Sequence, residues 1–298
     1  MVGTIRLFLR TTENDYQQQL KEEALREGKR AGFAVEVESA QDDAGRQVAQ
    51  ITAAIAKASA GNLVAILVSP VRDDNLPPTV RAAAEVGVEW VLLNREADFI
   101  GELRRQFTDR AIFVVSPEQA EIGRIHGQQV RALMPHGGCV LCMTGPLTAS
   151  SAQHRLDGLK SVVAEPYRLL TLSADWTSEG ARLALDRWLE SMSKDAEMPG
   201  VLVAQNDEMA LGLRQAARDA AVRLNLPLDK IPILGCDGSP TLGQRLVREG
   251  RLRGTVVTPP ASGPAVEWIA RMRQRGEIPP AIVIQPVTSF PGLASLRK

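Results

Sequence analysis

Residues 63–93, LVAILVSPVRDDNLPPTVRAAAEVGVEWVLL, decide the fold. Leu63 to Val68 is a short continuous apolar run, which predicts a strand covered on both faces. Pro77-Pro78 then opens a helix, because proline is tolerated in the first helical turn, where its missing N–H would have no intrahelical partner. Val88 to Leu93 is a second apolar run. Strand, helix and strand at this spacing imply a parallel pair joined by a crossover helix.

The same unit recurs outward in both directions. Toward the N-terminus, Thr4 to Leu9 predicts a strand, followed by a helix from about Asn14 to Ala31 with Leu20, Ala24, Leu25 and Gly28 on one face and Gly32 as its stop. Phe33 to Val37 follows as a strand and Val48 to Ala58 as a helix. Ala111 to Val115 completes a first doubly wound half. A second half restarts with a helix at Glu118 to Leu133, a strand at Cys139 to Met143 and a helix from about Ser151 to Val163. Strands at Arg168 to Leu172, Gly200 to Ala204, Ile231 to Gly235 and Gly254 to Thr258 then alternate with helices near Ser178 to Met192, Asp207 to Leu224, Thr241 to Glu249 and Gly263 to Arg275. One last apolar strand is expected from Ile282 to Val287. The fold class is α/β, with two doubly wound parallel-sheet lobes. No solenoid repeat, low-complexity tract or long linker separates them.

Composition narrows the function classes. The chain has 298 residues, 44% hydrophobic and 23% charged, which is ordinary folded-domain usage and enough for two cores. With 35 Lys plus Arg against 35 Asp plus Glu, nothing global pulls it toward nucleic acid or an anionic membrane. No apolar stretch approaches the ~20 residues of a membrane helix, and membrane insertion is not expected. Val2 to Arg10 is too short and too charged for the apolar part of a signal peptide, so the chain is expected to be periplasmic or extracytoplasmic if an export signal was removed, and otherwise cytoplasmic. Cys139 and Cys142, three apart on a strand, lie ~10 Å from each other on opposite faces, beyond the ~7 Å Cα limit for a disulfide. They are expected to be buried small hydrophobes.

In open parallel sheets, ligands bind beyond the carboxyl ends of the strands. Those positions are polar here: Glu13-Asn14-Asp15-Tyr16, Asn94-Arg95, Gln205-Asn206-Asp207 and Cys236-Asp237-Gly238. Asn, Asp and Arg offer planar pairs of donors or acceptors that suit adjacent hydroxyls on one small molecule, and Tyr16 and Trp176 can cover an apolar ring face. The plainer alternative is that each Asn or Asp is a helix cap or turn former. Enzymatic readings fare worse. His126, His136 and His154 form no metal-spaced cluster, and Thr144 to Ser151 contains no GxSxG elbow or phosphate loop. Arg245, Arg248, Arg251 and Arg253, interrupted by Glu249, suit a solvated face better than a nucleic-acid patch. No catalytic residue, metal or cofactor is expected.

Three segments carry a likeness to a known family: Ala204-Gln205-Asn206-Asp207-Glu208-Met209-Ala210-Leu211-Gly212, Gly235-Cys236-Asp237-Gly238-Ser239-Pro240 and Gly250-Arg251-Leu252-Arg253-Gly254-Thr255-Val256. In this order and spacing the chain resembles the type I periplasmic sugar-binding proteins of the ribose-binding kind, whose fold is shared by the ligand-binding cores of lactose-repressor-family regulators. The likeness implies a three-segment hinge, crossing near Ser116, Thr258 and Ile284. Residues 1–116 with 259–284 would form the N-terminal lobe, and 117–258 with 285–298 the C-terminal lobe. The lobes would close on one ligand. By the same likeness Asn14, Tyr16, Asn94 and Arg95 would contact ligand from the first lobe, and Arg155, Trp176, Asn206, Asp237 and Thr258 from the second or near the hinge. Asn94 stands where ribose binders have an aspartate, Gln17 where they have a second aromatic, and Thr258 where they have a hydrogen-bonding glutamine, so the expected ligand is a sugar or sugar-like polyol rather than ribose in particular. The implied partner is an ABC permease or a sensor ectodomain. The alternative is a regulator core without the roughly 60 residues of a DNA-binding headpiece and hinge.

Overall fold

The computed structural model describes residues 3–58, 62–95, 97–192, 197–225 and 227–297. They form two compact units, Met1–Pro117 with Pro260–Gln285 and Glu118–Pro259 with Pro286–Lys298. The chain passes between them three times.

In the first unit, strands β1 (Thr4–Leu9), β2 (Ala34–Ser39), β3 (Leu63–Val68), β4 (Glu89–Leu93), β5 (Ile112–Pro117) and β11 (Ile282–Gln285) form one sheet in the order β11-β5-β4-β3-β1-β2. Every pairing is parallel. Helices α1 (Asp15–Ala31) and α10 (Ser262–Arg275) cover one face through Leu20, Ala24, Val266 and Ile269, while α2 (Ala44–Ala56), α3 (Pro77–Glu85) and α4 (Phe99–Gln106) cover the other through Ile51, Val80 and Leu103. The local chemistry explains the helix ends. Asn14 caps α1 by accepting from the Gln17 N–H at 2.9 Å, and Gly32 ends it in the left-handed region, at φ 83°.

The second unit repeats the design. Strands β6 (Gly138–Thr144), β7 (Tyr167–Ser173), β8 (Val201–Ala204), β9 (Ile233–Asp237), β10 (Gly254–Val257) and β12 (Thr288–Phe290) lie in the order β12-β10-β9-β8-β6-β7. Helices α5 (Gln119–Leu133), α6 (Ser150–Val162), α7 (Ser178–Ser191), α8 (Asp207–Leu224) and α9 (Gly243–Arg248) complete the unit, with a final short helix α11 (Leu293–Leu296). In each sheet the strand order reverses once, between β1 and β3 and between β6 and β8. Loops leave in opposite directions there and open a crevice at the carboxyl ends.

Three expectations need correction. The run from Ile282 to Val287 is not one strand: β11 joins the first sheet in parallel and β12 joins the second antiparallel to β10. Pro286 separates them, since proline cannot donate to a ladder. Leu25 is 40% exposed, and the buried face of α1 runs through Gln17, Leu20, Ala24 and Gly28 instead. The helix expected at Thr241 to Glu249 begins only at Gly243. All three cysteines are free and buried, two of them in β6.

Candidate functional site

In the first unit the cap at Asn14 puts Tyr16 in the opening turn of α1. The Tyr16 hydroxyl donates to Asn94 Oδ1 at 2.7 Å. Asn94 follows the last residue of β4 at φ 64°, a left-handed conformation that asparagine tolerates better than most side chains. Beside it, the buried Arg95 guanidinium comes within 3.9 Å of Asp73 Oδ1 on the loop after β3. Gln17, which stands where the resemblance leads one to expect an aromatic, turns inward and donates from Nε2 to Ser69 Oγ at 2.9 Å. Asp73 and Ser69 were missed from sequence. Applying the carboxyl-end rule to the polar stretch after β3, as to the other strands, would have found both.

In the second unit, α5 and α6 pack backbone to backbone: a Cβ added at Gly123 would lie 2.0 Å from the Arg155 carbonyl oxygen. This seats Arg155, which is 9% exposed, donates from Nε to Gln119 Oε1 at 2.8 Å and from Nη1 to the Gln205 carbonyl, and stands 5.8 Å from the centre of the Trp176 ring. Trp176 has φ 73° and its carbonyl accepts from Asn206 Nδ2 at 2.9 Å. Asn206 Oδ1 in turn caps α8 by accepting from the Met209 N–H at 2.7 Å. Arg155, Trp176 and Asn206 are therefore one connected group. Gln205 braces it from behind, accepting from the Gly145 N–H at 3.0 Å and donating to the Ala152 carbonyl at 2.9 Å.

Asp237 ends β9 at φ 97°, and its carbonyl accepts from the Thr258 N–H at 3.0 Å and the Thr258 hydroxyl at 3.3 Å. The Thr258 hydroxyl thus serves the backbone, unlike a glutamine that could reach outward. Behind the strand, His126 is fully enclosed and donates from Nε2 to the Gly235 carbonyl at 2.8 Å. Burial lowers its pKa to about 4, so it is neutral at physiological pH. Burial pushes the Cys142 thiol up to about 12 and raises Cys236 as well, which removes both as nucleophiles. Among the described residues no cluster of three or more His, Cys, Asp or Glu could hold a metal ion. No helix among them is long and apolar enough to cross a membrane.

Each unit thus gathers amides, a guanidinium, hydroxyls, a carboxylate and one aromatic ring at the carboxyl end of its sheet. Such groups hydrogen-bond polyhydroxyl compounds. Asn14 and Asn206 are caps, as the plainer sequence alternative held, and the Asn206 amide N–H is engaged by the Trp176 carbonyl as well.

Residues 5–272 match the family described as periplasmic binding protein domain. The xylitol-binding protein of Mycolicibacterium smegmatis is 28% identical over 73% of this chain, a span that covers 56% of that protein's length. The ribose import binding protein of Escherichia coli is 23% identical over 86% of this chain and 79% of its own. Among solved structures, an Actinobacillus succinogenes ABC-transporter solute-binding protein with bound D-allose superposes with a TM-score of 0.83 at 19% identity, covering 99% of both chains. The arabinose-transporter binding protein of a Shewanella species gives 0.82 at 20% identity, over 98% of this chain and 93% of that one. At such identities the superpositions establish the fold, two parallel-sheet α/β lobes of the type I periplasmic binding kind.

Proposed function

The chain belongs to the periplasmic binding protein family, a family of binding proteins, and from that membership we propose that it captures a sugar or sugar-like polyol and presents it to an ABC importer or a membrane sensor. One observation carries the reading. Of the six non-glycine residues at positive φ among the described residues, three are Asn94, Trp176 and Asp237, each at or just beyond the carboxyl end of a strand and each singled out from sequence as a ligand contact. Left-handed backbone at non-glycine residues costs ~1–3 kcal/mol and persists where the surroundings enforce it, typically at ligand sites.

In this reading the Asn94, Arg95, Arg155 and Asp237 side chains bind hydroxyls, Asn14 and Asn206 add amide donors, and Tyr16 and Trp176 cover the carbon faces. Thr258 shapes the site through the Asp237 carbonyl. Residues 1–116 with 259–284 act as one lobe and 117–258 with 285–298 as the other. Donation to Asn94 fixes the direction of the Tyr16 hydroxyl, and with it the ring that a ligand would lie against. The family's setting is the periplasm, and this chain is proposed to work there. The named relatives are a xylitol-binding protein and a ribose import binding protein, which favours this reading over a regulator core.

A thermal-shift screen tests it. Xylitol, D-ribose, L-arabinose, D-allose and myo-inositol are compared with nucleotides and amino acids. At least one of the first group should stabilise the protein saturably, by ~2.7 kcal/mol at a hundred times its dissociation constant. Stabilisation by nucleotides or amino acids alone would overturn the assignment.

A further inference from the structure

Asp237 cannot hold its conformation alone. At φ 97° it lies beyond the usual left-handed basin, and the next residue, Gly238, also has positive φ, 59°. Two buried side chains bracket this turn. On one side His126 holds the Gly235 carbonyl. On the other, the Gly238 N–H donates to Asp207 Oδ2 at 2.7 Å, while Asp207 Oδ1 accepts from the Thr255 hydroxyl of β10 at 2.8 Å. Asp207 is 1% exposed, a placement that is costly for a carboxylate unless its oxygens are hydrogen-bonded.

The glycines around it follow from that carboxylate. A Cβ at Gly235 would lie 2.2 Å from Asp207 Oδ1, and one at Gly243 would lie 2.0 Å from Oδ2. Side chains at either position would expel it. The Gly-Cys-Asp-Gly segment is thus built around a buried acid supplied by the residue directly after Asn206. Through its backbone neighbour that acid links the α8 cap to the β9 turn.

We propose that Asp207 is the positioning residue of the site: by holding the Gly238 N–H it fixes the Asp237 turn, and so sets where the Asp237 carboxylate meets ligand. The proposal rests on the reading that Asp237 contacts ligand. Asp207 itself touches no ligand. An amide can replace it, because in Asp207→Asn the side-chain oxygen would keep the Gly238 N–H while the side-chain nitrogen donates to a rotated Thr255 hydroxyl.

The test uses Asp207→Asn, Asp207→Ala and Thr255→Val, with xylitol as probe and with hydrogen exchange of the Gly238 amide measured in ligand-free protein. Asp207→Ala should speed Gly238 exchange at least 10-fold and weaken xylitol binding at least 10-fold. Thr255→Val should act in the same direction by at least threefold, and serves alone if Asp207→Ala does not fold. Asp207→Asn should stay within threefold of wild type in both measurements. In an Asp237→Ala background the added loss of affinity from either disruptive change should shrink below twofold, because the group being positioned is gone. Equal losses with and without Asp237, or unchanged Gly238 exchange, would overturn the assignment. If wild type does not bind xylitol, the ligand reading is what has failed for that probe, and Gly238 exchange still decides the role of Asp207.

Discussion

Replacing Gly145 with alanine tests how Trp176 is presented. The indole lies directly on Gly145: an added Cβ would sit 2.1 Å from Cζ2, 2.3 Å from Cε2 and 2.4 Å from Cη2. Carbon atoms in ordinary contact are ~3.5–4.0 Å apart, so the ring must withdraw by roughly 1.5 Å. Gly145 does not have positive φ, so alanine brings no backbone strain and the whole effect is exerted on the ring. Overpacking of this kind costs ~1–3 kcal/mol. The Arg155 guanidinium, 5.8 Å from the ring centre, is near the ~6 Å limit of a cation–π contact, so moving the ring alters that contact too. Loss of an aromatic contact worth ~0.5–1.5 kcal/mol should also weaken ligand binding by roughly 2- to 12-fold. Denaturant unfolding followed by tryptophan emission gives the stability change, near-ultraviolet circular dichroism the ring's surroundings, and calorimetry the affinity. Repeating the substitution in a Trp176→Ala background should abolish most of the stability cost. An undiminished cost there would show that the ring does not rest on Gly145.

Three further outcomes are expected. Asp237→Ala and Arg155→Ala should each weaken ligand binding by ~1.5–3 kcal/mol, the size of a hydrogen bond to a charged group, or roughly 10- to 150-fold; wild-type affinity in calorimetry would remove that residue from the site. His126 titrates at about 4 when folded against the usual 6.5, so the unfolded chain binds the extra proton between those values and stability is lost as pH falls through that window. The loss should total about 3 kcal/mol, and His126→Gln, which keeps a donor but does not titrate, should flatten the dependence measured by denaturant unfolding at about pH 7 and pH 4.5. Burial raises the pKa of Glu89 at the start of β4, so its ionisation opposes folding above the usual carboxylate range. Glu89→Gln should therefore be the more stable protein at about pH 8, with the gain vanishing in acid; a gain that does not depend on pH would refute the titration argument.

The alternation of apolar runs with amphipathic stretches made both sheets legible in the sequence, because strands covered on both faces must be apolar throughout. What periodicity does not report is which sheet a run joins. Ile282 to Val287 looks continuous, and only the pairing of Ile282 with Val114 and of Thr288 with Val257 shows that Pro286 divides it between two sheets. Helix α4 went unseen because its buried face is reduced to Ile100 and Leu103 within eight residues, too short for a helical period to stand out. The candidate site is proposed from residue types after strands, since ligands of doubly wound sheets bind beyond the carboxyl ends. Its wiring was not legible there. Asn14 and Asn206 look alike in sequence as cap or contact, and the partners that settle their oxygens are backbone groups three residues on. Asp207 looks like an ordinary first-turn acid of a helix; its partners, Gly238 and Thr255, lie 31 and 48 residues away and meet it only after the sheet is assembled.

The central proposal is that this chain binds a polyhydroxyl compound with Arg95 and Arg155 among its contacts, and calorimetric titration tests it most directly. The compound from the polyol and sugar panel with the largest thermal shift is titrated into wild type, Arg95→Ala and Arg155→Ala. The account predicts one site per chain in wild type, weakened roughly 10-fold or more by either substitution, although the two arginines belong to different units. Two sites per chain, or a loss confined to the substitution in one unit, would contradict it.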